Sequence, residues 1–183
     1  MPEITVAWRA WTPVTLIGLV GFAVALALAS QVAIPIPGTP VPITLQPLVV
    51  VLTGFWLGPV AGAASMLLYL AVGALGVPVF SPFGAPGVAR FFGPTGGYLL
   101  AYPVTAFVAG WLGRLAPSLV GRTIAGIAAI AVLLFGGLLH LAVLNGSVER
   151  AWALGVHPFV PLDAVKAFVA ALLAPRRSTR APA

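Results

Sequence analysis

From Val14 to Ala174 the sequence is a succession of apolar stretches separated by proline and glycine, with charge nearly missing. Charged residues make up 7% of the chain and hydrophobic residues 61%, where soluble domains carry roughly 25% charge. Such a chain has too little polar surface for water and is expected to fold in lipid. A membrane-crossing helix needs about 20 mainly apolar residues. With short connections, 183 residues hold about six such spans in one bundle and leave no room for a soluble domain. The expected class is therefore an all-α integral membrane protein with a single transmembrane domain.

Six segments carry that pattern, at about Val14–Val32, Thr44–Leu57, Val60–Leu75, Thr95–Leu112, Gly121–Leu144 and Pro161–Ala174. The tail at 175–183, "PRRSTRAPA", is basic. The second segment is short for a span and would also suit a re-entrant hairpin with the third; orientation is the same either way. Pro103 marks a kink in the fourth. Two long irregular connections stand out: the proline-rich "IPIPGTPVPITLQ" from Ile34 to Gln46, and the glycine-, proline- and phenylalanine-rich stretch Val77–Gly93. Ala27-Leu28-Ala29 before Ser30 resembles a signal-peptidase site. The apolar run before it exceeds the roughly 7–15 residues of a signal core, so retention is expected.

Lysine and arginine set the orientation. With the N-terminus inside, Arg9, Arg114, Arg122, Arg176, Arg177 and Arg180 fall on the cytoplasmic side, and Arg90, Arg150 and Lys166 outside. Both termini are therefore expected in the cytoplasm. The five tryptophans (Trp8, Trp11, Trp56, Trp111, Trp152) fall at or just beyond segment ends, as an interfacial belt requires. Both long connections lie on the outer side. Irregular backbone near membrane depth persists only where protein buries it or where it lines a cavity, so the outer half is expected to hold a pocket lidded by these loops.

The net charge of +6 reads as topology and lipid contact rather than nucleic-acid binding. Cysteine is absent and the two histidines, His140 and His157, are far apart, which leaves no thiolate or clustered metal site. No Gly-Lys-Ser/Thr phosphate loop occurs, so the chain is not expected to bind and hydrolyse ATP by the usual P-loop route.

Ionisable groups inside a membrane are costly and mark function or pairing. Asp163 and Lys166 stand three apart in "HPFVPLDAVKAFVAALLA", a spacing that shares a helix face. Pro161 suits the first helical position, which puts Asp163 in the first turn. The pair is either a carboxylate complementing the helix dipole with a local cation, or two groups turned into the outer cavity. There Asp163 would accept from ligand N–H groups and Lys166 would donate to an oxygen or carboxylate. Arg90 either snorkels to the interface or faces the pocket, meeting a ligand carboxylate or Asp163. Phe80 and its neighbours Phe83, Phe91 and Phe92 supply apolar walls or lipid contact. Thr44 and Gln46 are the polar side chains of the proline-rich loop, which is either a stiff connector or a strap across the cavity. Tyr69, His140 and Asn145 are lone polar groups that read as hydrogen-bonded structural residues. Ala23 and Ala27, four apart, allow close helix approach within the bundle or toward a partner.

These stretches resemble a known family. "IPIPGTPVPITLQPLVVVLTGFWLGPVAGAASMLLYLAVGALGVPVF", then "FFGPTGGYLLAYP" and "HPFVPLDAVKA", are similar to the biotin-transporter substrate-binding family (BioY type), the S components of energy-coupling-factor (ECF) transporters. The resemblance runs over roughly Ala29–Ala171. It implies a six-transmembrane-helix S-component bundle with long outer loops 1–2 and 3–4, in a prokaryotic cell membrane. It implies high-affinity capture of biotin as a transported ligand, with no cofactor. It also implies a transmembrane coupling subunit and paired ATPases, the S component tilting to release biotin inside. By this resemblance Arg90, Asp163 and Lys166 belong to the biotin site, with Thr44, Gln46, Tyr69, Phe80, Ser81 and Tyr98 as further candidates. Ser81 stands where relatives are expected to place a polar contact, and Ala23 and Ala27 fall on the surface that meets the coupling subunit.

Three other readings are weighed. A proton-coupled carrier needs titratable groups along a through-path, and the inner half offers almost none. An intramembrane enzyme needs a nucleophile, metal or acid–base pair, and none assembles. An S component for another vitamin, such as thiamine or riboflavin, keeps the class but fits the motifs less well.

Overall fold

The computed structural model describes residues 11–175. Trp8, Arg9, Arg176, Arg177 and Arg180 lie outside the described residues. Seven α-helices follow in chain order: α1 (Pro13–Gln31), α2 (Gln46–Leu57), α3 (Pro59–Ala74), α4 (Gly96–Leu115), α5 (Leu119–Asn145), α6 (Val148–Gly155) and α7 (Val160–Leu173). A 3₁₀ turn, Gly87–Phe92, interrupts the α3–α4 connection. The short helix α6 has no counterpart in the sequence reading, which ran its residues into a loop. The proline-rich connection holds a two-residue antiparallel ladder, β1 (Ala33–Ile34) with β2 (Ile43–Thr44).

Local chemistry sets the helix ends. Thr12 accepts from the Thr15 N–H at 3.3 Å and Pro13 opens α1, a position that needs no N–H. Ser118 caps α5 by accepting from Gly121 N–H at 3.0 Å. Ser147 caps α6 by accepting from Arg150 N–H at 3.2 Å. The α2–α3 link is the single residue Gly58, at φ +83°, a conformation that residues with a Cβ rarely adopt. α4 continues as a helix through Pro103.

α1 and α5, of 19 and 27 residues, are long and apolar enough to cross a membrane. α6 and α7 pass that test together as a pair bent by 54°. α2 and α3 have 12 and 16 residues, or about 18 and 24 Å at 1.5 Å per residue, short of a hydrocarbon core of about 30 Å. Val14, Ile17 and Leu28 of α1 and Val120, Phe135 and Val143 of α5 lie exposed on the outside of the bundle. That is the arrangement of a helix packed on one side and wetted by lipid on the other.

Packing between helices relies on small residues. A Cβ on Gly54 of α2 would sit 2.3 Å from the Ala106 carbonyl oxygen of α4, so the two backbones are near contact. Gly126 of α5 faces Ala167 of α7, and Ala167, Ala170 and Ala171 are fully buried. Without a hydrophobic drive in lipid, such close approach supplies the dispersion contacts that hold helices together. The alanine pair of α1 is part of this packing. Ala23 is buried in the chain's own core, and Ala27 packs partly against it. Ala23 is thus packed within the bundle, while Ala27 stays partly exposed. Trp11, Trp56, Trp111 and Trp152 are each about half exposed (46–54%), as interfacial tryptophans are.

Candidate functional site

One end of the bundle gathers the α1–α2 and α3–α4 connections, α6, and the first turns of α2, α4 and α7. Between them lies a cavity of about 580 Å³, counting its open mouth. Arg90, Asp163 and Lys166 all line it, as do Thr44, Gln46, Phe80, Ser81 and Tyr98. The proline-rich segment forms one wall through Val41, Pro42 and Pro47.

α7 starts with Pro161 in its first turn, and the Asp163 N–H bonds back to the Phe159 carbonyl at 2.8 Å. Asp163 and Lys166 then fall on one face. Lys166 Nζ donates to Asp163 Oδ1 at 2.7 Å, with Asp163 2% and Lys166 9% exposed. Taking two charges out of water is expensive even when they pair, so a purely structural pair would be a poor use of a helix start. The remaining valences are open. An ammonium has three donors and a carboxylate about four acceptor positions. Among the described residues Lys166 Nζ has one partner, Asp163 Oδ1, and Asp163 Oδ2 has none.

Arg90 is held differently. It is buried, not snorkelling, and it does not pair with Asp163. Its Nη2 donates to the Ser81 carbonyl at 2.6 Å and to the Gly84 carbonyl at 3.4 Å, and its Nη1 donates to the Phe83 carbonyl. Nη1 also reaches Ser81 Oγ at 3.5 Å. The guanidinium lies 5.9 Å from the Phe80 ring centroid, within reach of a cation–π contact. Burial lowers the Arg90 pKa from its ordinary value, yet a guanidinium stays charged. Arg90 thus clamps residues 81–84 and lends the cavity wall a fixed positive charge.

Tyr69 stands behind the wall rather than in it. Its hydroxyl accepts from Gln46 Nε2 and donates to the Val79 carbonyl, both at 3.0 Å, and its ring meets Phe80 edge-on at 5.5 Å. Gln46 in turn accepts from Thr44 Oγ1 at 3.2 Å. Tyr98 lays its ring where a Cβ on Gly137 would intrude at 2.1 Å, and its hydroxyl donates to the Gly155 carbonyl at 2.6 Å. His140 bonds to the Gly93 carbonyl at 3.0 Å and Asn145 to the Leu141 carbonyl at 2.8 Å, both structural contacts.

The sequence reading missed several residues of this site. Ser30 Oγ donates to the Val79 carbonyl at 2.6 Å and Gln31 Nε2 to the Phe80 carbonyl at 3.1 Å. Nothing local announces contacts 49 residues apart. Phe159 and Tyr102 also line the cavity. Tyr102 had a signal: it lies four residues after Tyr98, on the same face of α4.

The arrangement suits recognition of a small polar molecule with an apolar body. It offers one carboxylate and one ammonium with free valences, aromatic walls, and a mouth bounded by two loops. Comparison with known proteins agrees. The model of the BioY family matches residues 6–183. The probable biotin transporter BioY of Pyrococcus horikoshii is 41% identical over 161 residues, 87% of this chain and 94% of that protein. The biotin transporter BioY of Thermotoga maritima is 37% identical over 143 residues, 78% of this chain and 84% of that protein. A 2.1 Å crystal structure of the S-component for biotin from an ECF-type ABC transporter superposes with a TM-score of 0.80 at 27% identity, covering 87% of this chain and 88% of that one. The chain belongs to the BioY family.

Proposed function

We propose that the chain is the biotin-binding S component of an ECF-type transporter: a multi-pass membrane subunit that captures biotin and delivers it inward under the power of partner ATPases. It is a binding and transport subunit, not an enzyme. The observation that carries the site assignment is the buried Asp163–Lys166 pair, which lines the cavity with valences still open. Biotin presents two ureido N–H donors, a ureido oxygen, an apolar thioether ring and an anionic tail. Asp163 accepts from a ureido N–H, and Lys166 donates to a ligand oxygen. Phe80, Tyr98 and Phe159 cover the rings. Arg90 acts mainly by shaping the 81–84 wall, since three backbone carbonyls already engage its guanidinium.

In this reading six helices cross or pair across the cell membrane, α6 lying beside the mouth, and the cavity opens to the outside. Both termini are cytoplasmic, in keeping with Arg114 and Arg122 at the far end from the cavity. A coupling subunit and paired ATPases complete the transporter, with the partly exposed Ala27 on the surface offered to them. A site that hydrogen-bonds several defined groups rejects analogues lacking them by up to about 10⁴–10⁵-fold. Equilibrium binding of radiolabelled biotin to the purified protein tests the proposal. Wild type should bind tightly, and Asp163→Asn, though destabilised by the stranded Lys166 charge, should lose most of its affinity when measured on the folded fraction. Absence of binding by wild type refutes the function; unchanged binding by the variant refutes the site.

A further inference from the structure

The chain has three tyrosines, and the bundle treats their hydroxyls differently. Tyr69 gives its hydroxyl to the Val79 carbonyl and Tyr98 gives its own to the Gly155 carbonyl. Tyr102 is 4% exposed and lines the cavity, yet its hydroxyl has no partner among the described residues. Nor is that oxygen among the sealed ones: among the described residues, the buried side-chain atoms without a partner are Nε of Arg90 and of Arg122. Tyr102 therefore keeps an uncommitted hydroxyl in contact with the cavity space. A buried phenol ordinarily finds a hydrogen-bond partner.

Its depth is informative. Tyr102 lies six residues into α4 and Lys166 six residues into α7, each about 9 Å along its helix from the end that carries the loops. Both residues line the cavity, one bringing an O–H donor and the other an N–H. A phenol O–H with no protein partner fits a ligand oxygen as its acceptor.

We infer that Tyr102 is a ligand-contacting residue whose hydroxyl donates to an oxygen of the bound molecule at the cavity floor. The inference rests on the biotin reading and adds a residue to its site. Biotin has such oxygens at the ureido carbonyl and at the tail carboxylate. Both accept the same hydrogen bond, and analogues separate them.

The test is equilibrium binding by wild type and Tyr102→Phe of three ligands: biotin, its thiourea analogue with sulfur in place of the ureido oxygen, and an analogue whose tail ends in a methyl group. Loss of the hydroxyl should weaken biotin binding about 10-fold, the effect of leaving one buried acceptor unmade. The penalty should shrink to less than about 2-fold on whichever analogue lacks the contacted oxygen, since nothing is then left unpaired. Ratios of affinity between ligands are read on the folded fraction alone, so a partly unfolded variant does not hide the result. Equal biotin affinity in the two proteins overturns the inference. So does an equal penalty on all three ligands, which would assign the hydroxyl a structural part. A wild-type protein that binds no biotin removes the functional reading itself, and this inference with it.

Discussion

Replacing Lys166 by methionine isolates the cost of the buried charge. In the native bundle Asp163 is 2% exposed and its partner Nζ lies at 2.7 Å. Removing one partner of a buried pair costs about 3–5 kcal/mol, because the other charge is left uncompensated. Asp163 sits in the first turn of α7, where the helix N-terminus favours an anion by about 0.3–1 kcal/mol. The net loss expected for Lys166→Met is therefore about 2–5 kcal/mol. At roughly 2–4 °C per kcal/mol for a chain of this size, the melting temperature in detergent should fall by about 4–20 °C. The second substitution, Asp163→Asn in the same chain, removes the stranded charge. It should return stability to within about 1 kcal/mol of wild type, since a neutral replacement of a buried pair is commonly no worse than the pair. Biotin binding should be lost in both proteins. Melting curves and radiolabelled biotin binding on the same preparations decide the matter. A double variant as unstable as the single one would refute the argument that charge, rather than packing, sets the cost. Full binding by the stable double variant would refute the reading that the pair is kept for a ligand.

Three further substitutions probe the walls. Gly137→Ala drives a methyl to within 2.1 Å of the Tyr98 ring; it should cost about 1–3 kcal/mol as overpacking and weaken binding by displacing Tyr98, read by melting and by affinity. Ser30→Ala and Tyr69→Phe each leave the Val79 carbonyl one donor; Ser30→Ala should cost about 0.5–1.5 kcal/mol and Tyr69→Phe about 1–3 kcal/mol, since it also strands Gln46 Nε2, while the pair strands the carbonyl and should cost more than the sum; a melting-based double-mutant cycle checks this. Ala23→Leu should destabilise the isolated protein, because Ala23 is buried in its core. Ala27→Leu should leave biotin binding near wild type and impair uptake by the assembled transporter, measured in cells; intact uptake would remove α1 from the partner surface.

How far the sequence is legible depends on how local the cause is. The pairing of Asp163 with Lys166 follows from spacing alone, and their burial follows from the apolar run around them. The burial of Arg90 does not. It depends on carbonyls at 81, 83 and 84 turning inward, which a loop sequence rich in glycine and proline leaves undetermined. α6 hid because Glu149 and Arg150 look like loop charges; the serine cap at Ser147 was the one local clue to a helix. The alanine spacing on α1 signals close packing but leaves the neighbour open; in the fold Ala23 packs within its own bundle. Tyr102 escaped because a tyrosine in an apolar helix looks the same whether or not its hydroxyl is spoken for.

The backbone at Val79 and Phe80 is tied to the last turn of α1 through Ser30 and Gln31, and to α3 through Tyr69. α1 therefore holds one wall of the cavity. If that helix slides or rocks by an ångström or two, hydrogen bonds of 2.6–3.1 Å must either break or drag Phe80 with them. A neighbour pressing on the outer side of α1 would thus be felt within the chamber without ever touching it.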